Sequence, residues 1–358
     1  MTTFSADHSG ARQRAPVLRL LQPGDAQRWD AFVDTCPEAT FFHRAGWQRV
    51  IETAYGHRTW FYYAERDGAI IGVLPLAEVR SRLFGHVLCS LPFCVRGGIA
   101  ASDDTARAML DAAAEVLARE RRVGYLECRG DTARHQGDAG WRRRDLYATF
   151  RKAIADDDET NLLAIPRKQR AVLRHGMASG LAAETDPQVE RFFALYAASV
   201  HRLGTPVFPR RYFRLLKDVF GDACEIRTIV QQHRAVASLM SFYWRDEVLP
   251  YYFGAVPAAR ACGASDYAYW SLMQAAVARG CAVFDFGRSK LGTGAYDYKK
   301  NWGFAPTPLQ YEYKLINAAA LPDNNPLNPK YRRFIAMWKK LPLPVANFLG
   351  PYLARSLG

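Results

Sequence analysis

The residues able to do chemistry gather in the second half of the 358-residue chain. The densest group runs Phe284-Asp285-Phe286-Gly287-Arg288-Ser289-Lys290-Leu291-Gly292-Thr293-Gly294-Ala295-Tyr296-Asp297-Tyr298-Lys299-Lys300-Asn301-Trp302-Gly303-Phe304. An apolar strand ends at Asp285 and a Gly-rich loop follows. Four cations, Arg288, Lys290, Lys299 and Lys300, are interleaved with aromatic rings. Strand ends and flexible glycine loops are where α/β proteins place ligand sites. A structural loop held by aromatic packing uses the same residues. The segment is not a Walker loop, which needs G-x-x-x-x-G-K-[ST] ahead of a helix.

A second group follows Pro166, a residue suited to the first turn of a helix. Arg167, Arg170 and Arg174 then share one helix face, and no acid lies between Leu163 and Gly180. Three guanidinium forks on one face suit a phosphate or diphosphate. A solvated basic face is the alternative. A third group, Arg260-Ala261-Cys262-Gly263-Ala264-Ser265, stands between a strand and a helix. It loosely follows the [QR]-x-x-G-x-[GA] diphosphate loop of acyl-CoA acetyltransferases, whose backbone N–H groups bind at a helix start. Ser265 stands where Gly or Ala is expected, and a helix cap by Ser265 or Asp266 accounts for the same residues. The eight histidines show no metal-binding spacing. There is no G-x-S-x-G elbow and no RNA-recognition consensus.

The elements that must position these groups repeat. Trp60 to Ala64 and Ala69 to Glu78 read as a hairpin turned at Arg66-Asp67-Gly68. A Gly/Pro-rich connection, Leu91 to Ala100, leads to a helix over 103–121 with Met109, Leu110, Ala113, Val116 and Leu117 at helical spacing. Ser102 and Asp103 are candidate caps. Val123 to Cys128 is then a short buried strand. The second half repeats the order. Strands are expected at 224–230, 235–244 and 248–256, a helix at 265–279 stopped by Gly280, and a strand at 282–286. Each half has a helical lead-in, 24–55 and 189–220. The order predicts a duplicated α/β unit. The acidic run Asp156-Asp157-Asp158-Glu159 reads as a solvated helix start in a linker near 153–162.

Composition sets the outer bounds. Hydrophobic residues make up 49%, which rules out disorder as the main state, and Gly and Pro counts of 26 and 19 exclude a collagen-like chain. The length suggests two domains. Seven scattered cysteines without a C-x-x-C pair fit core thiols in a reducing cytoplasm. The polar first residues and the short apolar stretch at 17–21 do not form a signal peptide. No segment approaches the ~20 consecutive apolar residues of a spanning helix, and Pro342, Pro344 and Pro351 break the uncharged stretch from Leu341 to Ala354. The net charge of +13 asks for an anionic partner: nucleic acid, a membrane surface, or a phosphorylated or acidic substrate. It is local. Residues 163–180 carry four cations and no acid, and residues 287–340 carry ten against Asp297, Glu312 and Asp323.

Four segments together resemble the FemAB-like branch of the GNAT acyltransferase superfamily. The likeness is nearest to the FemAB-related proteins of exosortase/PEP-CTERM and exopolysaccharide systems and to BioF2-like acetyltransferase domains. They are Pro166-x-Lys168-x-x-x-x-Leu173-Arg174 with Gly180-Leu181; Tyr251-Tyr252-Phe253-Gly254; Asp266-Tyr267-x-Tyr269-Trp270-x-Leu272-Met273; and Phe284 to Lys290 running into Gly294-x-Tyr296 to Phe304. The resemblance implies an α/β (α+β) chain of tandem GNAT-like domains, each a mixed, mostly antiparallel sheet flanked by helices. The expected division is a flexible stretch at 1–15, a first domain at 16–155, a second with the site at 156–320, and a basic amphipathic tail at 321–358.

Fem transferases move an aminoacyl group from tRNA onto an amine of a cell-wall precursor. The resemblance makes Lys299 the transfer lysine, with Lys300 as its neighbour. Here Asn301-Trp302 stands where Fem proteins usually go straight to Gly-Phe, and the long helical arm of Fem transferases has no counterpart. A tRNA donor is therefore disfavoured, and acyl-CoA or another activated acyl donor is expected as cosubstrate, with no permanently bound cofactor and no metal. Aminolysis needs a stabilised oxyanion and a proton route. Lys299 fits the first, and Asp285 or Asp297 the second. Arg170, Arg174, Arg288, Lys290, Lys300 and Tyr252 are expected on the phosphate-bearing substrate, and Arg260, Gly263 and Ser265 on the donor. The expected setting is cell-envelope or exopolysaccharide synthesis, in the cytoplasm or at the inner face of its membrane.

A non-catalytic membrane-surface assembly factor is the competing class. Tyr331, Phe334, Ile335 and Trp338, at i, i+3, i+4 and i+7 among basic residues, fit an interfacial helix. They fit equally a helix docked on its own domain. A nucleic-acid binder is a third option.

Overall fold

A computed structural model of the chain describes residues 14–81, 85–321 and 329–356, and side chains of the last range from 332. The stretch expected to be flexible at 1–15 lies almost wholly outside the described residues. Two sheets carry the fold. In spatial order the first runs Val17–Leu20, Arg58–Arg66, Ala69–Ser81, Gly85–Cys89, Tyr125–Gly130, Gln310–Leu315 and Trp141–Arg144, with Ala100–Ala101 added beside Ala69–Ser81. The second runs Leu181–Asp186, Cys224–Gln231, Arg234–Trp244, Glu247–Ala255, Val283–Lys290, Tyr147–Ala153 and Pro306–Pro308.

Both sheets are antiparallel except between their fourth and fifth strands. A parallel pair needs a crossover, and one helix supplies it in each case, Asp104–Glu120 and Ala264–Ala278. The expected duplication is therefore present strand for strand. The sixth strand is exchanged: Tyr147–Ala153 lies in the second sheet and Gln310–Leu315 in the first. The division read from the sequence at 155/156 does not run between the sheets.

Local chemistry sets the element ends. Asp103 accepts from the Ala106 N–H at 2.8 Å and starts the first crossover helix. Asp157 caps the helix Asp158–Ala164, so the acidic run is a helix start. The expected Gly-rich loop is instead a strand to Lys290 and a helix, Gly294–Asn301, capped by Thr293. Leu343–Ala354 is also helical, against expectation. Pro344 sits in its first turn, where no N–H bond is required, and only Pro351 lies inside.

The core does not divide into halves either. One buried cluster joins Trp29, Phe41 and Trp47 to Phe213, Phe242 and Tyr252. Phe41 stacks on Phe242 with ring centroids 4.5 Å apart. Between the halves runs the buried connection Ser90 to Gly97. Its backbone is strained, with Leu91 and Phe93 at φ of 61° and 68°. Its carbonyls are bonded by side chains. Tyr251 donates to Phe93, Tyr311 to Val95, and Arg129 to Leu91 and Cys94.

Candidate active site

In the second sheet the ladder between the parallel strands is short, with Glu247 opposite Val283 and Val248 opposite Phe284. The register of the Val283–Lys290 strand against its other neighbour then shifts between Asp285 and Arg288. Gly287, at φ +67°, makes the bulge. Asp285 holds it, accepting from the Gly287 N–H at 2.8 Å. The helix Gly294–Asn301 lies beside this bulge. Its Lys299 ammonium donates to the carbonyls of Gly287 and Arg288, each at 3.0 Å. The rings of Phe150 and Phe286 flank it at 5.4 and 6.0 Å. Burial pushes its pKa down to about 7, helped by the Arg288 charge and opposed by Asp285.

Arg288 is the second cation here. One nitrogen donates to the Tyr311 hydroxyl at 2.9 Å, and the guanidinium lies 4.7 Å from the Tyr147 ring centre. Among the described residues no carboxylate forms an ion pair with it. Asp285 is not available. Its oxygens already accept from Arg96 at 2.9 Å and from Gly287, with the Thr149 hydroxyl at 3.4 Å. The arrangement offers two cations whose partners are carbonyls, one hydroxyl and rings. It suits an anion or a developing oxyanion. A separate cavity of about 470 Å³ beside Arg96 includes neither Lys299 nor Arg288. Its Arg96, Arg134 and Arg151 are already paired with Asp131, Glu38 and Glu247.

The other expected site residues scatter. Asp297 is exposed, two residues and about 200° around the helix from Lys299, so it faces away. Lys300 is exposed, with its ammonium 5.8 Å from the Tyr296 ring centre. Lys290 lies 5.8 Å from the Tyr147 ring centre. Tyr252 is buried, with its hydroxyl 2.8 Å from that of Tyr212 in an aromatic cluster, and Tyr251 faces the buried connection instead. Arg170 donates to the Leu163 carbonyl at 3.3 Å and Arg174 is exposed. Neither is brought to Lys299 by any contact.

The expected donor loop does not form an open cradle. Gly263 and Gly176 pack backbone to backbone, and a Cβ on Gly263 would come within 2.9 Å of the Gly176 Cα. The helix Arg167–Ala178 thus occupies the space a diphosphate needs over Gly263. Arg260 points to solvent, and neither Ser265 nor Asp266 caps the helix, whose N-cap is Gly263. Asp266 adds a buried carboxylate at that helix start, accepting from Tyr298, Trp302 and Gln169. The residues present do not fit a loop-bound diphosphate.

The same contacts explain the motifs. Tyr298 and Trp302 meet Asp266, so two of the motif segments clamp each other. Gly303 packs on Pro166, where a Cβ would lie 3.0 Å from its ring. Gly254 lets the helix Glu190–Leu203 approach, since a Cβ there would be 2.3 Å from the Tyr196 nitrogen. Packing therefore accounts for most of the four motifs and leaves Lys299 and Arg288 over. Arg96, Tyr147 and Tyr311, which touch Asp285 or Arg288, are neighbours of this site that the sequence does not single out. Arg96 lies in a stretch that reads as a linker, and its only signal is a lone cation among Gly and apolar residues.

Residues 164–300 match the family model described as an acetyltransferase (GNAT) domain. That match covers the strand and helix that carry Arg288 and Lys299. The crystal structure of FemX, 14% identical, is similar with a TM-score of 0.66 over 84% of this chain and 98% of that one. The C-terminal domain (DUF2156) of a putative lysylphosphatidylglycerol synthetase from Agrobacterium fabrum is 13% identical, with a TM-score of 0.54 over 81% and 91%. A tandem GNAT protein from the clavulanic acid biosynthesis pathway is 12% identical, with a TM-score of 0.52 over 85% and 99%. At these identities the likeness shows the fold alone, the tandem arrangement of mixed, mostly antiparallel sheets flanked by helices that was expected. No curated protein sequence matches the chain. Lys299 stands at the end of the matched segment and Arg288 inside it.

Proposed function

We propose that the protein is an N-acyltransferase that moves an acyl or aminoacyl group from an activated donor onto an amine. The observation that carries this reading is the Lys299–Arg288 pair, two cations without a free carboxylate beside the bulged strand of a GNAT-type domain. The amine nitrogen attacks the donor carbonyl carbon, and the carbon–oxygen π pair moves onto oxygen. Lys299 already spends two N–H groups on carbonyls, and its third is directed at this oxyanion. Collapse of the intermediate expels the donor's leaving group, and the proton lost by the amine goes to that group. Arg288 holds an anionic group of the donor or acceptor, a phosphate being the class that a guanidinium fork matches.

The donor is an activated acyl group held without the Arg260–Ser265 loop. An aminoacyl-tRNA fits this reading as well as a thioester does. The acceptor belongs to cell-envelope or exopolysaccharide synthesis on the strength of the motif resemblance, and the cytoplasmic face of the membrane is where such precursors are built. The test is a thermal-shift screen with acyl-CoAs, nucleotide sugars and lipid diphosphates, followed by turnover with any donor and acceptor that bind. Lys299→Ala is expected to melt as a folded protein and to lose about 10²–10³ in turnover. Wild-type turnover by that variant overturns the assignment.

A further inference from the structure

The helix Leu343–Ala354 turns its bulky face outward. Its small residues Ala346, Gly350 and Ala354, at i, i+4 and i+8, are buried against the protein. A Cβ on Gly350 would meet Val207 at 2.9 Å. Its large apolar residues Val345, Phe348, Leu349 and Tyr352, at i, i+3, i+4 and i+7, are exposed. Phe348 is 69% accessible and Tyr352 65%. A surface helix with only water outside places these sets the other way round. The rings of Phe348 and Tyr352 meet at 6.0 Å, so they form one continuous apolar ridge.

The preceding helix, Pro329–Trp338, extends the ridge. It docks through buried Trp338, whose carbonyl is 3.1 Å from His201 Nε2, and through Ile335, packed on Gly204. Phe334 and Met337 stay exposed on it, Met337 at 69%. Along the sequence that carries the two helices the charge has one sign. No acid follows Asp323, while Lys330, Arg332, Arg333, Lys339, Lys340 and Arg355 do. Lys339 and Lys340, exposed, lead directly into the second helix.

We propose that these two helices seat the protein on an anionic lipid bilayer, with Val345, Phe348, Leu349 and Tyr352 among the acyl chains and the cations at the headgroups. Bulky apolar side chains beside acid-free positive charge are the signature of an interfacial helix. Twelve residues span about 18 Å, short of the ~30 Å hydrocarbon core. Among the described residues no helix is long and apolar enough to cross a membrane. The helix therefore lies in the plane of the surface. This seat does not depend on the transfer chemistry.

The experiment is flotation of the full chain with vesicles of phosphatidylcholine alone and of phosphatidylcholine mixed with phosphatidylglycerol. The protein is expected to float with the mixed vesicles and at least about tenfold less with the neutral ones. Phe348→Ser with Tyr352→Ser is expected to weaken partitioning about tenfold or more with an unchanged melting temperature, because both side chains are exposed. Lys339→Glu with Lys340→Glu is expected to remove the preference for phosphatidylglycerol. Lys299→Ala is expected to float like the wild type. Failure to float, equal binding to both vesicles, or wild-type flotation by the serine variant overturns the proposal. So does sedimentation showing a dimer that the serine substitutions dissociate, since the ridge would then be covered by a second copy.

Discussion

Arg96 and Asp285, 189 residues apart, form a buried ion pair of 2.9 Å that ties the connection Ser90–Gly97 of one half to the bulged strand of the other. The same carboxylate holds the Gly287 N–H, and Gly287 in turn accepts from Lys299. The pair thus bears on both stability and site geometry. Arg96→Ala leaves Asp285 buried without its cation, which costs about 3–5 kcal/mol. Urea unfolding should show that loss. A double-mutant cycle with Asp285→Asn should return a clear coupling between the two positions. Additive losses would mean that the pair does not act as a unit.

Lys299 is separable from its neighbours by pH. In the unfolded chain a lysine titrates near 10.5, and in the fold this one is pushed down to about 7. The unfolded state then binds more protons between those values, so wild-type stability gains as pH rises from about 7 toward 10.5. Below about 7 the full penalty of the buried cation is present. Lys299→Met should therefore gain on the wild type at pH 6 and lose that advantage by pH 10, read as the difference in melting temperature. If the ammonium serves the oxyanion, wild-type turnover falls as pH rises through about 7, whereas a base would make it rise. Lys300→Met and Asp297→Asn, both at exposed positions, should leave turnover unchanged.

The position of Lys299 was legible because its segment has a long, specific pattern, but its surroundings were not. Periodicity gave the hairpins and crossover helices, since those elements alternate or recur at 3.6 residues. It missed Tyr147–Ala153 and Gln310–Leu315, short strands whose partners lie far along the chain. It also took Gly294–Asn301 for loop, because Thr293 caps the helix from within a glycine-rich run. Asp285 and Asp297 looked alike as carboxylates near a lysine. The helix turn sends one outward, and Arg96, distant in sequence, occupies the other together with the Gly287 N–H. The diphosphate-like loop around Gly263 failed for a similar reason: its spacing says nothing about Gly176 packing onto it.

His135 is held between two carboxylates. Its ring nitrogens meet Asp111 at 2.9 Å and Glu312 at 3.1 Å, and its ring stacks on Trp141 at 3.6 Å. Burial opposes the charge, but the hydrogen bonds that the ring N–H groups donate to Asp111 and Glu312 outweigh it and lift the pKa to about 9. A raised folded pKa stabilises fully below the unfolded value, near 6.5, and the contribution is lost as pH rises through about 9. Since Glu312 belongs to the exchanged strand, that charge pins the exchange. His135→Gln should cost more stability at pH 6 than at pH 9.5, measured by urea unfolding at each. An equal cost would show that shape alone matters there.

Trp302 tests the clamp on the Lys299 helix. It is fully buried and its indole N–H donates to Asp266 at 3.0 Å. Trp302→Phe keeps an apolar ring but leaves Asp266, whose carboxyl burial already raises, one donor short. The lost partner costs about 1–3 kcal/mol, and the smaller ring adds a cavity term. Turnover should fall too, because the helix that carries Lys299 loosens. Restoration of stability but not of turnover by a distant stabilising substitution would separate the two effects.

The exchanged strands make the last expectation. A fragment of residues 14–155 keeps Tyr125–Gly130 but loses Gln310–Leu315 beside it, and a fragment of residues 156–321 keeps Val283–Lys290 but loses Tyr147–Ala153. Each would leave one edge of its fifth strand without a partner, an edge prone to association. Closing each half with its own strand does not repair this. Phe150 is fully buried in the core of the second sheet and Tyr311 in that of the first, and Glu312 is built to meet His135. Each fragment alone should be insoluble or lack a cooperative melt, and the two produced together should give one soluble complex that melts in a single transition. Two fragments that fold separately would show that the exchange is dispensable and that the halves are independent domains after all.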